Sequence, residues 1–150
     1  MDEGTEAVSI QAQCEKLAEI DGALRVAAYF FDPEAPKEIT GIRLMFEQGD
    51  WTVSVDPDDD SVLLYETTDT DFTKWKVADA STYFPWAAAV GKNIRWVWTL
   101  ENQNGYVDGL QFELFDRARG GVVSIQVVGV NSRLDVRAVL PVETPFLRAP

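Results

Sequence analysis

The chain contains no histidine and a single cysteine, Cys14, in 150 residues. Without histidine it lacks the commonest general base, the usual activator of a serine or cysteine nucleophile and the principal transition-metal ligand. One cysteine builds neither an intrachain disulfide nor a cysteine-rich zinc site. There is no dinucleotide glycine fingerprint, no phosphate-cradling loop and no nucleophile elbow, so no cofactor is expected. No stretch approaches the roughly 18 consecutive apolar residues a spanning helix needs. The acidic opening MDEGTEAVSIQ has neither the basic segment nor the apolar run of a secretion signal. A cytoplasmic single domain over residues 1–150 is expected, with 1–8 as a flexible N-terminus and 141–150 as an extended tail.

Positive charge is scarce, and its scarcity is uneven. Residues 1–71 carry 18 acidic and 4 basic side chains, whereas residues 72–150 carry 7 and 9, which places the net charge of −12 in the first half. Binding to phosphate backbones depends on lysine and arginine displacing counterions, so neither nucleic acid nor an anionic membrane is an expected partner. A basic protein is the partner that the electrostatics favour.

What is present is β-rich. Ser9 can cap a helix whose apolar positions Ile10, Cys14, Leu17 and Ile20 follow helical spacing, with Gly22 as its stop. Eight β-prone runs follow, at 23–31, 39–47, 51–55, 62–66, 94–101, 106–115, 122–130 and 134–140. A short helical turn is expected at Trp86–Val90, in front of Gly91. The fold class is α+β: a mostly antiparallel, meander-like sheet of about eight strands, strongly curved or barrel-like, with one N-terminal helix packed on it.

Two hairpins can be registered from their side chains. A turn at Gln48-Gly49 pairs Phe46 with Trp51, Leu44 with Val53 and Ile42 with Val55 on one face, leaving Thr52 and Ser54 on a wetter one. In the second hairpin a loop of Asn104, Gly105 and Tyr106, left-handed near Gly105, pairs Trp98 with Phe112, Trp96 with Leu114 and Leu100 with Leu110. Both tryptophans then anchor the core, and Asn102 faces Asp108.

The candidate partner-binding residues are Asp56, Asp58, Asp59 and Asp60 of the stretch VDPDDDSV, together with Asn102, Gln103, Tyr106 and Asp108. The acidic stretch fails the EF-hand template, since Ser61 stands where glycine is required and Thr67 where a bidentate glutamate belongs. It reads as a hairpin loop, an acidic recognition patch or an irregular oxygen site for a hard cation. Cys14, on the apolar side of the helix, reads as a packing residue.

The pattern W-x-W-x-L-x-N-Q-x-G-Y-x-D-G-L-Q, from Trp96 to Gln111, together with ITGIRLMFEQGDWTVSVDPDDDSV at 39–62, resembles a family of small bacterial proteins of unknown function. The resemblance spans about residues 20–130. It implies a compact β-rich intracellular domain and brings no activity, substrate or cofactor. The leading expectation is a non-enzymatic, immunity- or inhibitor-like protein-binding module. The alternatives are a divalent-metal-dependent or carboxylate-based enzyme centred on Asp56–Asp60 with Asp108, and a homo-oligomeric structural module.

Overall fold

A computed structural model describes residues 9–67 and 75–140. The expected terminal segments at 1–8 and 141–150 lie outside the described residues. Helix α1 spans Ile10–Ala18. The Ser9 hydroxyl accepts a hydrogen bond from the Ala12 amide (3.1 Å), satisfying one of the free donors of the first turn. Cys14 and Leu17, one turn apart, are the buried residues of this helix.

Among the described residues nine strands follow: β1 (Leu24–Asp32), β2 (Ala35–Phe46), β3 (Gly49–Val55), β4 (Val62–Glu66), β5 (Lys76–Asp79), β6 (Asn93–Glu101), β7 (Val107–Phe115), β8 (Val122–Val130) and β9 (Arg133–Ala138). They form two antiparallel sheets, ordered β4-β3-β2-β1-β5 and β6-β7-β8-β9. This corrects the single curved or barrel-like sheet. The chain leaves β5 through residues 80–92 and the one-turn helix α2 (Trp86–Ala89) instead of a hairpin, so β5 and β6 do not pair and each sheet keeps two edges. An isolated bridge between Ala23 and Asn93 ties the sheets at one corner. The strand β5 was not foreseen because all four of its residues are exposed, leaving no apolar alternation to read.

Both sheets feed one core. Ile42, Leu44, Trp51 and Val53 from the first meet Leu110, Phe112, Ile125 and Val127 from the second, while Leu17 of α1 and Trp86 of α2 close its margins. Trp86 is buried, and its indole N–H donates to the Tyr29 hydroxyl at 2.7 Å.

Both hairpin registers differ from expectation. In the first, Phe46 pairs with Gly49, Leu44 with Trp51 and Ile42 with Val53, because the turn is Glu47-Gln48. Glu47 is pinned there: its amide donates to the Ala23 carbonyl (3.0 Å), and its carboxylate accepts from the Ala23 amide (2.8 Å). A two-residue slip preserves the side-chain face, so the apolar set still lies inward. Thr52 is buried on the other face, and its hydroxyl bonds that of Thr67.

In the second hairpin the loop has three residues and Gly105 is left-handed (φ 83°), but the loop comprises 103–105, closed by the Asn102 amide on the Tyr106 carbonyl (2.9 Å). Irregularities between Ile94 and Trp96 and between Leu100 and Glu101 then shift the strand between them by one residue. Trp98 pairs with Gln111 and Trp96 with Glu113, so both tryptophans turn to the outer face, 43% and 51% exposed, instead of anchoring the core.

Strand directions sort the connections between two ends. The β1–β2 turn, the β3–β4 loop, the β6–β7 loop and the β8–β9 turn share one end. The β2–β3 turn, the β7–β8 loop and the entries to β1 and β6 share the other.

Candidate functional site

The acidic loop between β3 and β4 is built from its own carboxylates. The Asp56 amide donates to the Ser61 carbonyl (2.8 Å), the Asp60 amide to the Asp56 carbonyl (2.9 Å) and the Asp58 amide to Asp56 Oδ1 (2.9 Å). Ser61 donates its amide to Asp59 Oδ1 (2.9 Å), and hydrogen bonding from Ser61 holds the Asp59 carboxyl below the usual aspartate range. These are side-chain turns in which an aspartate stands in for a backbone acceptor.

Asp60 reaches across to the other sheet. It adopts a left-handed backbone (φ 61°), and its carboxylate accepts from the amides of Asn131 (3.1 Å) and Ser132 (2.7 Å). Those two residues form the β8–β9 turn, both left-handed (φ 51° and 63°), so their consecutive N–H groups present a small anion-binding concavity. The Ser132 hydroxyl donates back to the Pro57 carbonyl at 3.2 Å. Gly129 makes room: a Cβ there would lie 2.3 Å from the Asp60 carbonyl oxygen. The loop of one sheet is thus seated on the hairpin of the other.

The second predicted cluster lies on the β6–β7 loop. Asn102 Oδ1 accepts from the amides of Asn104 (2.9 Å) and Tyr106 (3.3 Å), and Asn102 Nδ2 donates to Asp108 (3.3 Å), so these two residues do face each other. Asn102 is occupied in shaping its loop, while Gln103 and Tyr106 are exposed. The two clusters share one end of the fold, yet no hydrogen bond or ion pair joins them among the described residues.

That end is acidic. Asp32 and Glu34 at the first turn, Asp56 to Asp60, and Glu101 with Asp108 all gather there, with Lys37, Lys76 and Arg133 beside them. The opposite end is mixed: Arg25, Lys92, Arg95, Arg117 and Arg119 lie there among Asp21, Glu47, Asp50, Asp79, Glu113 and Asp116, and some are paired, Arg117 with Asp21 at 3.0 Å and Arg25 with Glu47 at 3.5 Å. Exposed ion pairs of this kind contribute little to stability, typically about 0–1 kcal/mol. The excess of carboxylates over cations is thus greater at the first end, although acidic residues of the first half of the chain lie at both.

Among the described residues no group of three or more acidic or cysteine side chains is placed to hold a metal ion. Cys14 is buried, and burial, followed by the charge of Glu15, pushes its thiol up to about 11. It is therefore a protonated packing group at neutral pH. No helix among the described residues is long and apolar enough to cross a membrane.

Sequence reading missed two features. The first is the exposed pair Trp96 and Trp98, concealed by the bulges. The second is a cleft of about 520 Å³ on the outer face of the first sheet, with Tyr65 and Trp75 in its walls. The polar and aromatic alternates of β3 and β4, Thr52, Ser54 and Tyr65, hint at it, but the placement of Trp75 depends on tertiary folding.

A model of the family of unknown function DUF6334 matches residues 11–143. The chain belongs to that family. No curated protein and no solved structure matches it.

Proposed function

We propose that this member of DUF6334 is a non-enzymatic protein-binding module whose acidic end meets a basic protein partner. The observation that carries this reading is the gathering of carboxylates from separate turns at one end of the two sheets, where they outnumber Lys37, Lys76 and Arg133, while at the other end the two signs are mixed. A field of that shape orients an approaching cation and raises its association rate, an effect that salt weakens. Asp58 and Asp59 are the groups available for it, since Asp60 is committed to the β8–β9 turn.

The test is capture of partners from a bacterial lysate at low and at moderate salt, comparing the wild type with an Asp58→Asn, Asp59→Asn double variant. Asp60 is left intact so that the joint between sheets is not disturbed. A specific basic partner, captured less by the double variant and less at higher salt, supports the reading. Absence of any specific partner at either salt, or indifference to the substitutions, contradicts it.

A second reading, a homo-oligomeric module, is favoured by the exposed Trp96 and Trp98 on the open face of the second sheet. Sedimentation as a monomer at high concentration would dismiss it.

A further inference from the structure

The cleft on the outer face of the first sheet has two parts that share Thr40, Ser54, Tyr65 and Trp75 in their walls. The inner part, about 70 Å³, is floored by Phe30 and Gly41. A Cβ on residue 41 would lie 2.9 Å from the Phe30 ring, so glycine is what lets that ring lie across β2. The outer part, about 520 Å³, opens at the acidic end between Asp32, Glu38, Pro57 and Ser132. That volume falls in the range of about 300–1,000 Å³ typical of ligand sites.

Two carboxylates line the mouth, Asp32 and Glu38, both on the β1–β2 hairpin. Asp32 Oδ1 accepts the Glu34 amide (2.9 Å), and the Glu38 carboxylate makes no hydrogen bond or ion pair among the described residues. Tyr65 and Trp75 are each about two-fifths exposed, so their rings face the opening as well as the sheet. An apolar, aromatic-walled trough with carboxylates at one end matches a side chain that has a long apolar stem and a cationic head.

We infer that this cleft receives an arginine side chain of the basic partner, its methylenes along Tyr65 and Trp75 and its guanidinium at Asp32 and Glu38. Arginine fits better than lysine because its planar head stacks on aromatic faces and pairs with carboxylates through two parallel hydrogen bonds. This rests on the reading of the acidic end as the contact end, and it places the contact on a defined set of side chains.

The experiment uses the full chain and a tri-arginine amide peptide, with tri-lysine and the uncharged tri-citrulline as controls. Binding is followed by amide and indole NMR shifts, in the wild type, in Trp75→Ala, in Glu38→Gln and in the Asp58→Asn, Asp59→Asn variant, each checked for an unchanged melting temperature. The expected result is that tri-arginine shifts the Trp75 indole and the amides of Thr40, Ser54 and Tyr65, ahead of tri-lysine, with citrulline inert. Affinity should fall at least tenfold in Trp75→Ala and a few-fold in Glu38→Gln. Shifts confined to Asp58 and Asp59, unaffected by Trp75→Ala, would overturn the cleft while leaving the acidic contact end standing. Failure of both cationic peptides to bind anywhere on the chain would overturn both.

Discussion

The loops Asp56–Ser61 and Asp116–Gly121 close their hairpins in the same way and are used differently. In each, the first aspartate donates its amide to the sixth residue's carbonyl (2.8 Å in both) and accepts the fifth residue's amide on its own carbonyl (2.9 and 2.8 Å). In each, that aspartate's side chain also accepts the amide two positions on, Asp58 in one and Ala118 in the other, both at 2.9 Å. The fifth residue is left-handed in both, Asp60 at φ 61° and Gly120 at φ 77°. Glycine adopts that backbone at no steric cost; an aspartate is a costlier occupant, though among the more tolerant ones. The difference lies in what the fifth residue faces: nothing lies within 4 Å of a Cβ on Gly120, whereas Asp60 meets the amides of Asn131 and Ser132. The strained aspartate is retained where its carboxylate joins two sheets, and glycine is used where there is nothing to join.

Substitutions at three positions test this contrast. The largest effect is expected from Gly129→Ala, whose Cβ would press on the backbone of Asp60 and push the loop off the hairpin; a loss of about 3 kcal/mol by denaturant unfolding follows from overpacking plus the displaced hydrogen bonds. Asp60→Ala keeps the loop's backbone but leaves two turn amides to water, for a cost of about 1–2 kcal/mol. Gly120→Ala, with open space around it, should lose only the conformational term, about 1 kcal/mol, and leave the β8–β9 turn untouched.

Smaller still is the acid response shared by both loops. The carboxyls of Asp59 and Asp116 lie below the usual aspartate value, Asp59 through Ser61 and Asp116 through the amides of Arg119 and Ala118; Asp79 does the same through Ser81. A depressed folded value means that each contribution is complete above the unfolded pKa near about 4 and is lost as pH falls through the lower folded value. The melting temperature should therefore be insensitive to these groups from pH 7 to 5 and decline below about pH 4. Asp58→Asn is expected to leave it unchanged at pH 7.

Much of the fold was legible because it rests on short-range signals. Ser9 ahead of an apolar 3.6-residue period marked α1, eight runs with turn residues between most of them marked eight of the nine strands, and Trp86 before Gly91 marked α2. Register was less legible, since it depends on partners distant in sequence: Ala23 pins Glu47, and bulges flanking Trp96 and Leu100 re-aim two tryptophans that apolar patterning would bury. The acidic stretch was legible as a loop between strands but not in the separate roles of its carboxylates. Asp58 and Asp60 stand two positions apart in the same acidic run, yet one is free to face a partner while the other grips a turn 71 and 72 residues away. Only the path of β8 and β9 separates them.

The joint is most directly tested by amide hydrogen exchange at Asn131 and Ser132 in the wild type and in Asp60→Ala. If Asp60 holds the two sheets together, both amides are protected in the wild type and exchange at least tenfold faster in the variant, while Ala118 and Arg119, bound by Asp116 in the matching loop, keep their rates. Unchanged exchange at Asn131 and Ser132 in a folded Asp60→Ala protein would contradict it.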